Sequence, residues 1–301
     1  MRHQAGLTLL ELLLVVFILS VISFGAVSLI DSSDSQWRFE ETKARLARIR
    51  VAVVGEGEPV YAGQRRLSGF VADVGDLPAD AADLTGPLAA GDTAYQSQTP
   101  ELEDGYQLSA HALFKGRRPP YLVLEASTDP SNPRYRDGWG TKSTANDALF
   151  HGWGWTVASD TLTVVSLGAD GQTGAPAGGA YDADITATIT RSEWGIEGGI
   201  QVEVLNSTAG DIANLRADQL RYNGGQWEQV VSTRQTIPTT ASRTFQITEF
   251  VPAGTHLLVL MQDADATVVN GERPYGSSPF TTSLVEVYPG VPPGLVQWEV
   301  K

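Results

Sequence analysis

The sequence predicts an α+β fold in which a long N-terminal helix, membrane-spanning in its first half, packs on an antiparallel-sheet head followed by an all-β sandwich. Three observations carry this. From Leu7 to Ile30 the chain is apolar with a single charge, Glu11, and helical spacing then continues without a proline until Pro59. Short segments rich in β-branched and aromatic residues come next, each bounded by Gly, Pro or Asp. Beyond Trp194 helical periodicity ends, and apolar and polar residues alternate between turn signals, as in a two-sheet fold. The expected divisions are 7–54 for the helix, with 7–30 in the membrane, 55–193 for the head and 194–301 for the sandwich.

At ~1.5 Å per residue the 7–30 stretch makes about 36 Å of helix, enough to cross a hydrocarbon core of ~30 Å with some tilt. Farther on, Phe39, Thr42, Leu46, Ile49 and Val53 recur at helical steps and mark the face that packs on the head. Glu41 and Arg45 fall one turn apart and support the exposed face. Gly55 and Gly57 end a helix on the order of 70 Å long. Pro78 opens a short helical turn, and Gly86 to Pro100 reads as loop. Strands are expected at Tyr121–Ala126, Phe150–Ala158, Leu162–Leu167 and Ile185–Arg191. Gly-Trp-Gly occurs at 138–140 and again at 152–154; the tryptophans suit packing on the sheet, and the glycines permit sharp turns. Gly195, Gly198 and Gly199 mark a boundary. After it, strands are expected at Gly199–Leu205, Gln219–Tyr222, Trp227–Val231, Arg243–Ile247, His256–Met261, Thr281–Val287 and Val296–Val300.

A secretory signal peptide fits the N-terminus poorly. Its apolar run is well over the usual ~7–15 residues, and Phe24-Gly25-Ala26 has Phe where cleavage needs a small side chain. Between a plain membrane anchor and something more specialised, Glu11 decides. A carboxylate inside an apolar helix costs roughly 2.5–3.5 kcal/mol on insertion, so it needs a partner. The run Gly6-Leu7-Thr8-Leu9-Leu10-Glu11 resembles the type IV prepilin cleavage and methylation motif. That resemblance implies that residues 1–6 are a leader removed by prepilin peptidase after Gly6, that the Leu7 amine is methylated, and that the Glu11 carboxylate neutralises the N-terminal ammonium of a neighbouring subunit. Two charges that are each costly in lipid become tolerable as a pair, which sets the register between adjacent helices. The sequence departs from the pattern at Leu7, where Phe is usual, and at Ser28, where many pilins carry a kinking proline.

Arg136-Asp137-Gly138-Trp139-Gly140-Thr141, then Ser166 to Gln172, then Asp182-Ala183-Asp184-Ile185, are similar in order and spacing to the head of the major pseudopilins of type II secretion. The loop Gly168 to Asp184 is long and Gly-rich and needs a fastener. The resemblance implies calcium there, with Asp170 the best-matched ligand and Asp182, Asp184 and the Leu167 carbonyl completing the set. Calcium's taste for six to eight oxygens suits such donors. The insert Thr173 to Tyr181 lacks the acidic residues many relatives carry, and turn capping by the same aspartates is the alternative. A second acidic group, Asp263, Asp265 and Glu272 around Asn270-Gly271, is a lesser cation candidate, with turn chemistry again the alternative.

Composition narrows the function further. At 301 residues and 42% hydrophobic the chain can bury a sizeable core, and a net charge of −14 without any basic block gives no nucleic-acid surface. There is no cysteine, hence no disulfide and no thiol chemistry. No Gly-x-Ser-x-Gly, His-Glu-x-x-His or phosphate-cradling loop occurs, and the histidines are scattered, so no enzyme is expected. The expected role is a filament subunit, held in the inner membrane by one span with its other domains in the periplasm before assembly, and in a periplasmic or surface filament afterwards. Its partners are copies of itself or other pilins. The alternative is a minor or tip subunit that binds a protein or glycan through the sandwich.

Overall fold

The computed structural model describes residues 9–56, 60–61, 64–65, 67–88, 91–103, 106–124, 135–140, 151–174, 178–179, 181–262, 273–276 and 281–301. The chain is mixed α+β and begins with one continuous helix, α1 (Leu9–Val54). The expected packing stripe is the buried one: Thr42, Leu46, Ile49 and Val53 lie at 5% exposure or less, while Phe39 is half-buried. Glu41 and Arg45 form the expected pair at 2.8 Å. The helix stops at Gly55, whose φ of 84° admits no ordinary side chain and whose N–H closes on the Val51 carbonyl.

A small hairpin, β1 (Val60–Tyr61) with β2 (Gln64–Arg65), leads to two short helices, α2 (Phe70–Val74) and α3 (Ala82–Thr85). The turn expected at Pro78 thus forms four residues later, where Asp80 Oδ1 accepts the Ala82 and Asp83 amides. Within the stretch expected to be loop, Gln96–Gln98 forms β3 and pairs with β4 (Leu113–Lys115). Tyr121–Leu124 is not a strand. The Tyr121 and Leu122 amides both donate to the Leu84 carbonyl, so the end of α3 takes up the bonds a ladder would have used. The head sheet is antiparallel in the order β5 (Gly154–Ala158), β6 (Thr161–Ser166), β7 (Ile185–Ile189). With α1, α2 and α3 it encloses a core that includes Ile49, Val53, Phe70, Leu84, Trp153, Leu162 and Ile189.

A single turn, α4 (Arg191–Trp194), passes the chain into its C-terminal half through β8 (Gly195–Ile196). Every expected strand there is present: β9 (Ile200–Asn206), β10 (Ile212–Asn223), β11 (Gln226–Val231), β13 (Ser242–Ile247), β15 (Gly254–Gln262), β17 (Thr282–Val287) and β18 (Val296–Val300). Three short ones, β12 (Gln235–Ile237), β14 (Val251–Pro252) and β16 (Arg273–Pro274), join them. A larger sheet runs β11-β10-β15-β16, with β12 also on β10 and β17 also on β15; a smaller one runs β13-β9-β18. Val202, Val204 and Phe245 of the small sheet share one buried cluster with Leu215, Leu258 and Leu260 of the large one.

The large sheet is buried on its other face as well. Leu102, Leu108 and Leu113, from the β3–β4 region, pack on Leu220, Leu257, Val259 and Met261. This explains why Leu257 to Met261 reads as an unbroken apolar run rather than an alternation. The apolar contacts therefore cross the 193/194 boundary. Gly75 at the end of α2 abuts Tyr222, where a Cβ would come 1.8 Å from the Tyr222 carbonyl oxygen, and β14 pairs back onto β8.

Candidate functional site

Two regions hold the expected functional residues, the start of α1 and the loop between β6 and β7. Along α1 from Leu9 to Ile22 the large apolar side chains are all exposed, from 47% at Ile18 to 82% at Leu9. No part of the described chain covers them. A helix apolar all round is one that apolar surroundings must enclose. Glu11 sits on this segment, in the helix; its side chain, together with Gly6 and Leu7, lies outside the described residues. Among the described residues no helix is long and apolar enough to cross a membrane.

The head holds α1 through a short, tight contact. Gly138 N–H donates to Thr42 Oγ1 at 3.0 Å, and Thr42 in turn donates to the Arg38 carbonyl one turn back at 2.8 Å. A Cβ on residue 138 would stand 2.2 Å from that same Arg38 carbonyl oxygen. The first Gly-Trp-Gly is thus a place where backbone meets helix. Beside it Arg45 donates to the Arg136 carbonyl at 2.6 Å. Near the far end of α1, Arg50 pairs with Glu193, which also closes the capping box of α4 with Thr190. In the second Gly-Trp-Gly, Trp153 is fully buried and donates to the Tyr135 carbonyl at 2.8 Å.

In the aspartate loop the chain folds back on itself. Gly168, next to Leu167, lies against the Asp182 and Ala183 carbonyls, and Ala169 N–H donates to the Tyr181 carbonyl. Each predicted carboxylate accepts a loop amide: Asp170 from Gln172 at 3.0 Å, Asp182 from Gly179 at 2.6 Å and Asp184 from Gly174 at 3.1 Å. The first two are local turn bonds, and the third ties the two ends of the loop across ten residues. Asp184 Oδ1 is different: it is buried and finds no hydrogen-bond partner among the described residues, the condition of an atom that a cation would satisfy. Among the described residues no group of three or more His, Asp or Glu side chains gathers closely enough to hold a metal ion. Asp263, Asp265 and Glu272 lie outside the described residues.

Sequence reasoning missed a second fastener. Tyr181 packs on Phe39 of α1 at 5.5 Å and on Trp139 at 6.2 Å, tying the loop to the helix through three rings. Nothing in the spacing of these residues pairs them. It also missed a buried polar group between head and large sheet. Lys115 Nζ donates to the Ala72 carbonyl at 2.9 Å, and Asp73 accepts from Tyr121 at 3.0 Å and pairs with Arg118 at 3.2 Å. Burial pulls Lys115 down to about 8 against the opposing pull of Asp73, and burial raises Asp73 despite Arg118, Tyr121 and Lys115. His256 is buried with Nε2 on the Pro252 carbonyl at 2.8 Å; burial first, then the charge of Lys115, hold it down to about 3.

Residues 1–27 match the prokaryotic N-terminal methylation motif. The motif supports a type IV pilin- or pseudopilin-like protein that prepilin peptidase processes, and it is consistent with an N-terminal membrane anchor and assembly with other pilins. It spans residues 1–6, Leu7 and Glu11, together with the whole of the exposed apolar stretch from Leu9 to Ile22. No curated protein and no solved structure matches the chain.

Proposed function

We propose that this chain is a structural subunit of a type IV pilus-like or type II secretion pseudopilus-like filament. Prepilin peptidase cleaves after Gly6, the Leu7 amine is methylated, and copies assemble through the apolar half of α1 with Glu11 setting their register. The observation that carries this reading is the methylation motif overlapping a helix whose apolar side chains from Leu9 to Ile22 are covered by nothing among the described residues. Before assembly the 7–30 segment sits in the inner membrane with the remainder in the periplasm. Sequencing the N-terminus of the natural product tests the reading: a methylated Leu7 supports it, and a retained Met1 or a start beyond Ile30 overturns it.

A second reading, a minor or tip subunit that binds a partner, is favoured by the bulk of the C-terminal sheets and by a cleft at their junction with the head. Copy number separates the two, since a major subunit makes up most of a purified filament and a tip subunit only a trace. Calcium is proposed as an added fastener of the 168–184 loop, with the uncommitted Asp184 oxygen as its support. Its check is a melt with and without EGTA. A lowered midpoint is expected, and an unchanged one removes calcium from the account.

A further inference from the structure

One tryptophan is placed unlike the rest. The chain has seven. Trp153, Trp155, Trp194 and Trp298 are buried and Trp139 and Trp227 half-buried, whereas Trp37 is 63% exposed. It stands on the side of α1 away from the head, since Phe39 and Thr42 meet Tyr181 and Gly138 from the other side and Leu46 joins the head core. Its indole makes no hydrogen bond or ring contact among the described residues. Ile30 closes the apolar run, and Trp37 follows seven residues later, about 10 Å farther along the axis. Helical side chains lean back over the turn on their N-terminal side, which returns the ring by about one turn, ~5 Å, toward Ile30. With Ile30 at the edge of the hydrocarbon core, the indole lies ~5 Å outside it, within a headgroup layer about 5–8 Å deep.

We propose that Trp37 is an interfacial anchor, its ring seated among the phospholipid headgroups on the periplasmic side of the inner membrane before assembly. That layer is where tryptophan is enriched, because the ring offers an apolar body to the lipid and one N–H to the wet side. The rival cover, a helix of a second copy, needs an apolar stripe. Ser33, Glu40 and Ala44, the exposed residues beside Trp37 on that side of α1, do not make one. The inference rests on the membrane-anchored filament reading and adds a depth to it. Glu11 precedes Ile30 by 19 residues, about 28 Å along the axis, so a ring held at one surface goes with a Glu11 near the opposite edge of a ~30 Å core.

The test reconstitutes the full-length chain, highly diluted, into phosphatidylcholine–phosphatidylglycerol vesicles that carry a nitroxide on the headgroup, high on the acyl chain, or near the chain end. Tryptophan quenching is compared between the natural chain and Trp37→Phe, an exchange on an exposed side chain that leaves the fold and its melting midpoint in place. Expected is quenching strongest from the headgroup and upper-chain probes, with more than half of it gone in Trp37→Phe. Quenching equal in the two chains, or strongest from the chain-end probe, overturns the proposal. So does a Trp37 emission that escapes every probe and shifts to the blue only as protein density rises, which would give this side of α1 to a second copy. Flotation of the same vesicles reports separately on the membrane anchor: a chain that floats with Trp37 unquenched removes the interfacial seat alone, and a chain that does not float removes both.

Discussion

Replacing Gly138 by alanine tests how the head grips α1. The new methyl carbon would stand 2.2 Å from the Arg38 carbonyl oxygen and 3.0 Å from Thr42 Oγ1. Carbon–oxygen contacts settle near ~3.3 Å, so the 135–140 segment must move off α1 by about 1 Å. Overpacking of this kind costs about 1–3 kcal/mol. The same movement stretches the bond from Gly138 N–H to Thr42, worth roughly 1 kcal/mol. A total of about 2–4 kcal/mol corresponds to a midpoint lowered by about 3–6 °C in a chain of 301 residues. Thermal unfolding followed by tryptophan fluorescence reads it, because Trp139 and Trp153 flank the contact. A midpoint within about 1 °C of the unaltered protein would refute the close-approach reading of this glycine.

Other outcomes follow from the same structure. His256 is about 3 when folded and 6.5 in an open chain, so the unfolded state binds the extra proton between those values. Stability contributed by the neutral ring is complete above pH 6.5 and falls by roughly 1.4 kcal/mol per pH unit as pH drops toward 3. In urea titrations across that window, a His256→Gln chain should show a shallower slope than the natural one; equal slopes would count against burial as the cause. Lys115, about 8 when folded against 10.5 when open, should add stability as pH rises from 8 to 10.5, and Lys115→Met should flatten that rise. Glu11→Val should leave membrane insertion intact or improved and impair filament assembly, and normal filaments from it would remove the register role from Glu11.

The legible parts of this fold are those written in local periodicity. Thr42, Leu46, Ile49 and Val53 announce the buried face of α1 by spacing alone. The C-terminal strands are legible because turn residues separate them and β-branched residues fill them. Contacts set by the tertiary fold left no such trace. Tyr121–Leu124 has strand composition, yet the Leu84 carbonyl captures its amides. Phe39, Trp139 and Tyr181 are far apart in sequence and meet only because the β6–β7 loop bends over α1. Lys115 sits in a three-residue strand with nothing to mark it as buried, since its burial depends on a sheet formed more than a hundred residues later. At the aspartate loop the residue types and their turn capping were readable, but the buried Asp184 Oδ1, with no hydrogen-bond partner among the described residues, was not.

The shared apolar layer between the β3–β4 region and the large sheet has a consequence for any polymer built from this chain. Cutting the subunit down after Trp194 would leave Leu102, Leu108 and Leu113 without cover, a greasy scar on each monomer and a seed for clumping. The far end therefore cannot be shed to make a slimmer building block. In a filament of the proposed kind each copy would carry its whole girth to the outside of the fibre, and that girth would limit how closely neighbouring copies crowd around the axis.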